Sequence, residues 1–214
     1  MPEILKADRN ISEETVLSCA AEILAAGGII AYPTETFYGL GADATNEKAI
    51  RKIYALKGRN FNNPISVIID KEEYLYGLVP EVPAEALKLM HLFWPGPLTI
   101  VFKASAGVSP LLTAGTGKIG MRISSHKAAR AIAAKLGHPV TATSANLSHA
   151  SECSTAEEVV NQIGDKLDAI VDLGKTAGGK GSTIIDVTSN PPQILREGVI
   201  SRLDRKSTRL NSSH

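Results

Sequence analysis

The chain has 214 residues, a formal net charge of +1, 43% hydrophobic residues and 21% charged residues, a composition typical of one globular domain. The near-neutral charge argues against a surface built mainly to bind nucleic acid, but it is compatible with a local basic cleft. The two cysteines make no disulfide framework, no apolar run approaches the roughly 18 residues of a membrane span, and the N-terminus lacks a signal-peptide pattern. We therefore expect a cytoplasmic protein without membrane contact.

Apolar periodicity and cap residues predict helices and strands that alternate through most of the chain. In chain order these are a helix from Ser12 to Gly27, a strand over residues 29–32, a helix from Asn46 to Gly58, a strand over 65–69, a helix with Pro83 as its first residue, strands over 98–102 and 119–123, a helix from Ser125 to Gly137, a strand over 140–143, a helix opened by a capping box of Ser154 and Glu157, and strands over 169–171, 182–187 and 193–195. Several later strands follow one another without an intervening helix, which indicates a mixed sheet.

The predicted fold class is therefore α/β, with a single-domain twisted mixed (parallel and antiparallel) sheet flanked by helices. This domain is expected over residues 1–204. Residues 205–214 are polar, Ser-rich and aperiodic, and they are expected to be a disordered or non-native tail.

Residues 32–41 are interpreted as a polar turn after the first strand. They place the hydroxyl groups of Thr34, Thr36 and Tyr38 beside the carboxylate of Glu35 and two glycines. A turn that only reverses the chain does not need these groups, whereas one that holds a small polar ligand against its backbone does. The glycines lie too far from the strand for a dinucleotide-binding fingerprint.

Three cations are candidates for binding an anion. Lys57 and Arg59 leave the second helix and enter an Asn-rich loop before a buried strand. They are either solvated surface charges or ligand contacts at a strand entrance. Arg122 interrupts an apolar strand, so it needs either a structural ion pair or a ligand carboxylate.

Two polar loops complete the candidate site. Residues 143–146 (Thr-Ser-Ala-Asn) follow a strand, and small residues around Ser144 leave room for a ligand near the backbone. The Gly-rich residues 178–181 lead into a strand and form either a flexible lid or an anion-binding set of amides. The histidines lack metal-ligand spacing, so no metal site is predicted.

Several short segments, in one order along the chain, carry a resemblance to a known family. They are residues 33–36 with 38–41, Lys57 with Arg59, 94–99, 120–122, 143–146, 182–186 and 196–198. In these segments the chain resembles the YrdC-like family, and within it the bacterial threonylcarbamoyl-AMP synthases of short, single-domain form. The resemblance implies a YrdC-like fold with a central, positively charged cleft.

The resemblance also implies a reaction and its partners. L-threonine and bicarbonate or CO2 would form N-carboxy-threonine, whose new carboxylate attacks the α-phosphate of ATP. The products would be threonylcarbamoyl-AMP and pyrophosphate, with Mg2+ travelling with the ATP. A tRNA threonylcarbamoyl transferase complex would then pass the group to an adenosine beside the anticodon, and weak tRNA binding is expected.

The same resemblance assigns roles to individual residues. It implies catalytic roles for Lys57 and Arg59. It implies ATP binding by Lys57, Arg59, Ser144, Asn146 and Arg196. It implies threonine binding by Thr34, Tyr38, Arg122, Ala142, Ser182 and Thr183, with Arg122 as the partner of the threonine carboxylate.

Three other functions remain open from the residues alone. The chain could be a non-catalytic RNA- or nucleotide-binding module of the same fold, or a plain nucleotide-binding regulator. It could also perform the carbamoyl-adenylate chemistry of hydrogenase maturation proteins, whose zinc-finger and acylphosphatase regions are not seen in this sequence.

Overall fold

The computed structural model describes residues 1–58 and 61–201. Eleven strands form within these residues: β1 (Glu3–Lys6), β2 (Ile30–Pro33), β3 (Tyr38–Gly41), β4 (Val67–Ile68), β5 (Leu98–Lys103), β6 (Lys118–Arg122), β7 (Val140–Thr141), β8 (Thr143–Ser144), β9 (Ala169–Asp172), β10 (Thr183–Asp186) and β11 (Gln193–Arg196). The helices are α1 (Glu13–Ala25), α2 (Glu47–Lys57), α3 (Leu75–Leu78), α4 (Ala84–Phe93), α5 (Pro110–Thr113), α6 (Lys127–Leu136) and α7 (Ala156–Ile163), with 3-10 turns at Glu72–Tyr74 and Gly164–Lys166.

The strands form two mixed sheets. The first has the order β1-β9-β2-β3-β8, in which β1, β9 and β2 are parallel while β3 is antiparallel to β2 and β8. The second has the order β11-β10-β5-β6-β4-β7 and combines parallel and antiparallel pairs. The predicted mixed α/β class is confirmed, with its strands divided between these two sheets.

Buried apolar side chains form two clusters that pack the helices and the two sheets together. The smaller one packs α1 and α6 on the first sheet, for example through Leu24, Ile30 and Ile132. The larger one draws on both sheets, with Leu40 from the first and Ile100 from the second. Because burial of apolar side chains supplies most of the driving force for folding, the two sheets are fixed against each other.

Several helix ends follow the sequence prediction. Ser12 accepts a hydrogen bond from the backbone N–H of Thr15, and Asn46 caps α2 in the same way. Gly58 ends α2 in the left-handed conformation, with φ +57°. These caps depend on neighbouring residues only, which is why the sequence predicts them.

Other helix starts were predicted wrongly by a residue or two. The N-cap of α7 is Thr155 instead of Ser154: its Oγ1 accepts from the backbone N–H of Glu158 at 3.2 Å, and the Glu158 carboxylate accepts from the backbone N–H of Ser154 at 2.6 Å. Pro83 is the N-cap of α4 and lies just outside the helix. Helix α6 begins at Lys127, because Ser124 Oγ accepts from the backbone of His126 and holds an extra turn before the helix.

The polar turn predicted over residues 32–41 is a β-hairpin. Strand β3 (Tyr38–Gly41) pairs antiparallel with β2, and only residues 34–37 form its loop. The two glycines of β3 accommodate the Tyr32 ring, since a Cβ on Gly41 would lie 2.8 Å from Tyr32 Cε1. They mark close packing within a strand, not a turn.

The strand predicted over residues 140–143 changes sheets along its length. Val140 and Thr141 pair with β4 in the second sheet, whereas Thr143 and Ser144 pair with β3 in the first. Between them, the backbone N–H of Ala142 donates to the oxygen of Ser66 at 2.7 Å. The chain therefore crosses at Ala142 from one sheet to the other.

Candidate ligand-binding cleft

A cleft of about 370 Å³ opens where the two sheets meet. Its size falls in the range of small-molecule sites. Strands of both sheets contribute to it, as does the β2–β3 loop. The lining residues are Thr34, Thr36, Phe37, Tyr38, Gly39, Lys57, Asn63, Pro64, Ser66, Val67, Thr99, Arg122, Ala142, Thr143, Ser144, Asn146, Ser148, His149, Glu152, Gly181, Ser182, Ile184 and Arg196. Polar side chains predominate, which indicates a polar ligand.

Lys57, the last residue of α2, is buried against the loop that follows β8. Its Nζ donates to the main-chain oxygen of Ser144 at 2.5 Å, to that of Asn146 at 2.9 Å and to Asn146 Oδ1 at 3.0 Å. An ammonium has three N–H donors, whereas four acceptor atoms of this loop lie within 3.5 Å of Nζ, so the loop engages the donors of Lys57. Lys57 therefore fixes this loop and places a positive charge at the cleft. A direct bond to a ligand oxygen would have to replace one of the loop contacts.

Ser144 and Asn146 are also bonded to each other. Ser144 Oγ donates to Asn146 Oδ1 at 2.6 Å, and Asn146 Nδ2 donates to the oxygen of Ala150 at 2.6 Å. The amide of Asn146 is thus held in one orientation, and the loop presents a rigid polar wall to the cleft.

The β2–β3 loop and the first residue of β3 supply further hydroxyl groups to the lining. Thr34 Oγ1 donates to the oxygen of Phe37 at 2.7 Å and accepts from the backbone of Thr36 at 3.2 Å. The Tyr38 hydroxyl donates to the oxygen of Gly174 at 2.8 Å. Burial raises the pKa of Tyr38, and the nearby Asp172 raises it further, so this phenol stays protonated.

Arg122, at the end of β6, forms a buried ion pair with Glu35 of the β2–β3 loop. Arg122 Nη1 lies 3.1 Å from Glu35 Oε1, and the two side chains are only 7% and 12% exposed. Of the two possibilities left open by the sequence, the structural ion pair is therefore present. Neither of these two buried atoms has an aligned hydrogen bond within residues 1–58 and 61–201, and the Arg122 side chain also lines the cleft.

A further cluster of hydrogen-bonded side chains connects β5 and β11 with the residue just before β10. Thr99 Oγ1 and Ser182 Oγ lie 3.1 Å apart, and Arg196 donates to Ser182 Oγ and to its main-chain oxygen, both at 3.0 Å. Gly198 allows this approach, because a Cβ there would lie 2.1 Å from the oxygen of Gly181. The Arg-Glu-Gly segment therefore packs directly on the rim of the cleft.

Thr183 is the predicted site residue that the structure places outside the lining. Its fully buried Oγ1 accepts from the backbones of Gly198 and Ile200 at 3.0 Å and donates to the oxygen of Ile200 at 2.8 Å. Thr183 thus anchors residues 198–200 and, through them, the segment that carries Arg196.

Nine of the predicted site residues line the cleft. They are Thr34, Tyr38, Lys57, Arg122, Ala142, Ser144, Asn146, Ser182 and Arg196. Arg59 lies outside the described residues, as does the tail predicted over 205–214. The individual ligand roles of these residues stay predictions.

Sequence reasoning missed several lining residues, among them Ser66, Thr99 and Glu152. Ser66 and Thr99 flank Gly120, where an added Cβ would lie 2.5 Å from Ser66 Oγ and 3.2 Å from Thr99 Cγ2. A glycine within an apolar strand was the available signal, since it often marks a close approach of other groups.

Within residues 1–58 and 61–201, no group of three or more His, Cys, Asp or Glu side chains is arranged to hold a metal ion. Over the same part of the chain, every helix is too short or too polar to span a bilayer.

The chain is similar in sequence to a family of known proteins. A family model named Sua5/YciO/YrdC and described as telomere recombination matches residues 22–198. A threonylcarbamoyl-AMP synthase of Pyrococcus abyssi is 39% identical over 87% of this chain and 55% of its own length. One of Photobacterium profundum is 36% identical over 82% of this chain and 95% of its own length.

A solved structure, described as P. abyssi Sua5 complexed with L-threonine, matches the fold with a TM-score of 0.91 and 35% identity. The match covers 97% of this chain and 60% of that one. The chain spans little more than half the length of the first curated relatives that it matches, those of P. abyssi and Bacillus subtilis.

Proposed function

The chain belongs to the Sua5/YciO/YrdC family, and from that membership and the geometry of its cleft we propose that it is a threonylcarbamoyl-AMP synthase. The observation that carries the proposal is the junction of the two sheets, which gathers Arg122, Arg196 and Lys57 around one polar cleft. A relative of similar overall fold binds L-threonine, and a relative that this chain covers almost completely carries the synthase name.

The proposed substrates are L-threonine, bicarbonate or CO2, and ATP with its Mg2+. The threonine nitrogen forms a bond to the carbon of CO2 and releases a proton, which gives N-carboxy-threonine. An oxygen of the new carboxylate then attacks the α-phosphorus of ATP, and the bond from that phosphorus to pyrophosphate breaks. The products are threonylcarbamoyl-AMP and pyrophosphate.

The residues of the cleft suit this chemistry mainly by positioning and electrostatics. Arg122 would bind the threonine carboxylate, with the hydroxyl groups of Thr34, Tyr38 and Ser182 and the backbone of Ala142 around the amino acid. Thr183 would contribute indirectly, by fixing residues 198–200.

The ATP phosphates would meet the charges of Lys57 and Arg196, with Ser144 and Asn146 beside them. These cations would offset the negative charge that develops on the phosphorus oxygens and on the leaving pyrophosphate. Arg59, two residues after Lys57, is proposed to act on the same phosphates.

Mg2+ is proposed to enter bound to the ATP phosphates. Glu152 is a carboxylate of the described lining, and one carboxylate together with phosphates and waters is a donor set that Mg2+ accepts. When bound, the ion would withdraw charge from the phosphates that it contacts.

The proposed product reaches tRNA through a partner. Threonylcarbamoyl-AMP would pass to a tRNA threonylcarbamoyl transferase complex, which modifies an adenosine next to the anticodon. Weak binding of tRNA by this chain and a cytoplasmic location belong to the same proposal.

The decisive experiment measures pyrophosphate release from ATP with and without L-threonine and bicarbonate. Release that requires both, and that falls when serine replaces threonine, is the expected result. A chain that binds ATP or tRNA but releases no threonine-dependent pyrophosphate would instead be a nucleotide-binding regulator or a non-catalytic RNA-binding module.

A further inference from the structure

Glu35 joins the two sheets behind the cleft. It belongs to the β2–β3 loop of the first sheet, and its Oε1 lies 3.1 Å from Nη1 of Arg122 in the second sheet. Its other carboxylate oxygen, Oε2, accepts a short hydrogen bond from Ser124 Oγ, just after β6. Both oxygens of one buried carboxylate are therefore committed to the end of the same strand.

The carboxylate of Glu35 is bound to Arg122 and Ser124, whereas its two chain neighbours line the cleft. Thr34 and Thr36 line the cleft, and so does Arg122. Because Glu35 contacts the lining residue Arg122 directly, it can act on a ligand through this neighbour. Its carboxylate fixes the distance between the loop hydroxyl groups and the guanidinium.

The two carboxylate oxygens of Glu35 make different kinds of contact: Oε2 accepts a hydrogen bond, whereas Oε1 takes part in an ion pair. Ser124 Oγ is itself held, since it also accepts from the backbone N–H of His126 at 3.1 Å. The contact to Arg122 is an ion pair without an aligned hydrogen bond. Glu35 thus pairs its charge with that of Arg122, whose side chain also lines the cleft.

We propose that Glu35 is a positioning residue that clamps the β2–β3 loop to β6 and thereby sets how well the cleft discriminates threonine from serine. The inference rests on the proposed function for its substrate. Threonine and serine carry the same charges and differ by one methyl group. Their discrimination therefore reports the fit of the cleft wall, whereas the charge change in a Glu35 variant affects both substrates alike.

The test compares Glu35→Gln with the wild-type chain and with Glu14→Gln as a matched control. Glu14 pairs with Lys135 between α1 and α6, and its side chain is 75% exposed. Pyrophosphate release gives kcat/KM for threonine and for serine. Because one methyl group is worth about 10- to 200-fold in a fitted pocket, we expect the threonine-to-serine ratio to fall about 3- to 30-fold in Glu35→Gln and to stay unchanged in Glu14→Gln.

Ser124→Ala provides a second variant, because it removes one attachment of Glu35 and leaves the charge pair intact. It should lower the same ratio by a smaller factor. An unchanged ratio in folded Glu35→Gln and Ser124→Ala would overturn the inference.

Hydrogen–deuterium exchange supplies a readout that does not depend on turnover. The amides of residues 34–38 should exchange faster in Glu35→Gln, with α1 as the internal reference. Faster exchange in a chain without threonine-dependent turnover would refute the proposed function while leaving the clamp in place. Unchanged exchange would refute the clamp itself.

Discussion

The ammonium of Lys57 donates hydrogen bonds to two oxygens of Asn146, the main-chain oxygen at 2.9 Å and the side-chain Oδ1 at 3.0 Å. The end of α2 and the loop after β8 are therefore a single unit. A change at Lys57 acts on the cleft in two ways, through the lost charge and through the released loop.

Lys57→Met keeps the unbranched chain and removes the charge, so we expect threonine-dependent pyrophosphate release to fall about 10- to 100-fold. A charge-assisted hydrogen bond is worth about 1.5–3 kcal/mol, and an unsatisfied buried oxygen costs about 1–3 kcal/mol. The unfolding free energy should therefore also fall, with the chain still folded. Lys48→Met, at an exposed position of the same helix, should leave both quantities unchanged. Wild-type turnover in Lys57→Met would contradict the role assigned to Lys57.

The buried pair of Arg122 and Glu35 predicts a specific coupling of stability. Arg122→Ala leaves the carboxylate of Glu35 buried without its cation, which costs about 3–5 kcal/mol. In the double variant Arg122→Ala/Glu35→Gln the carboxylate is gone, so the loss of unfolding free energy should be smaller than the sum of the two single losses. Urea denaturation of the four proteins measures this, and simple additivity would show that the pair carries no coupling.

The same substitution tests the ligand role of Arg122. Arg122→Ala should weaken L-threonine binding more than ATP binding, because the guanidinium is proposed to bind the amino-acid carboxylate. Calorimetric titration with each ligand measures the two dissociation constants. A larger loss for ATP would move Arg122 to the nucleotide.

Thr183 and Ser182 are adjacent residues with different expected effects. Thr183→Val deprives the backbones of Gly198 and Ile200 of their acceptor, so the unfolding free energy should fall by about 1–3 kcal/mol. Ser182→Ala removes a hydroxyl from the cleft lining and should reduce turnover with a smaller change in stability. If Thr183→Val were fully stable and specifically raised KM for threonine, the indirect role of Thr183 would be wrong.

Helix ends could be predicted from the sequence where they depend on local chemistry, as at Ser12, Asn46 and Gly58. The hairpin of β2 and β3 could not, because β3 is buried throughout and shows no alternation of polar and apolar residues. Its glycines resemble turn residues, yet they are there because the Tyr32 ring packs against them. That contact exists only once the strands have paired.

The candidate site likewise contains residues that the sequence identifies and contacts that it does not. Lys57, Arg122 and Ser144 could be identified from residue type and from their position next to apolar strands. The partnership of Arg122 with Glu35 could not, since it joins two sheets that the sequence did not separate. The change of sheet at Ala142, a residue of the cleft lining, leaves no mark in a continuous β-type segment.

His126 predicts how stability depends on pH. Its Nδ1 is buried without a hydrogen-bond partner in the described part of the chain. Burial lowers the pKa of His126, an effect that Glu35 and Glu13 oppose and Arg130 reinforces. The unfolded chain therefore binds a proton at this position more readily than the folded chain does.

The contribution of neutral His126 to the free energy of unfolding is therefore complete above the ordinary histidine pKa of about 6.5. It is lost as the pH falls below that value, because the unfolded chain then binds the proton more readily than the folded chain does. His126→Gln removes the titrating group, so the variant should lose less unfolding free energy than the wild type between pH 8 and pH 5. Urea denaturation across this range gives the two curves, and His91→Gln, at an exposed position of α4, should follow the wild type. Parallel curves for His126→Gln and the wild type would mean that His126 contributes nothing to acid sensitivity.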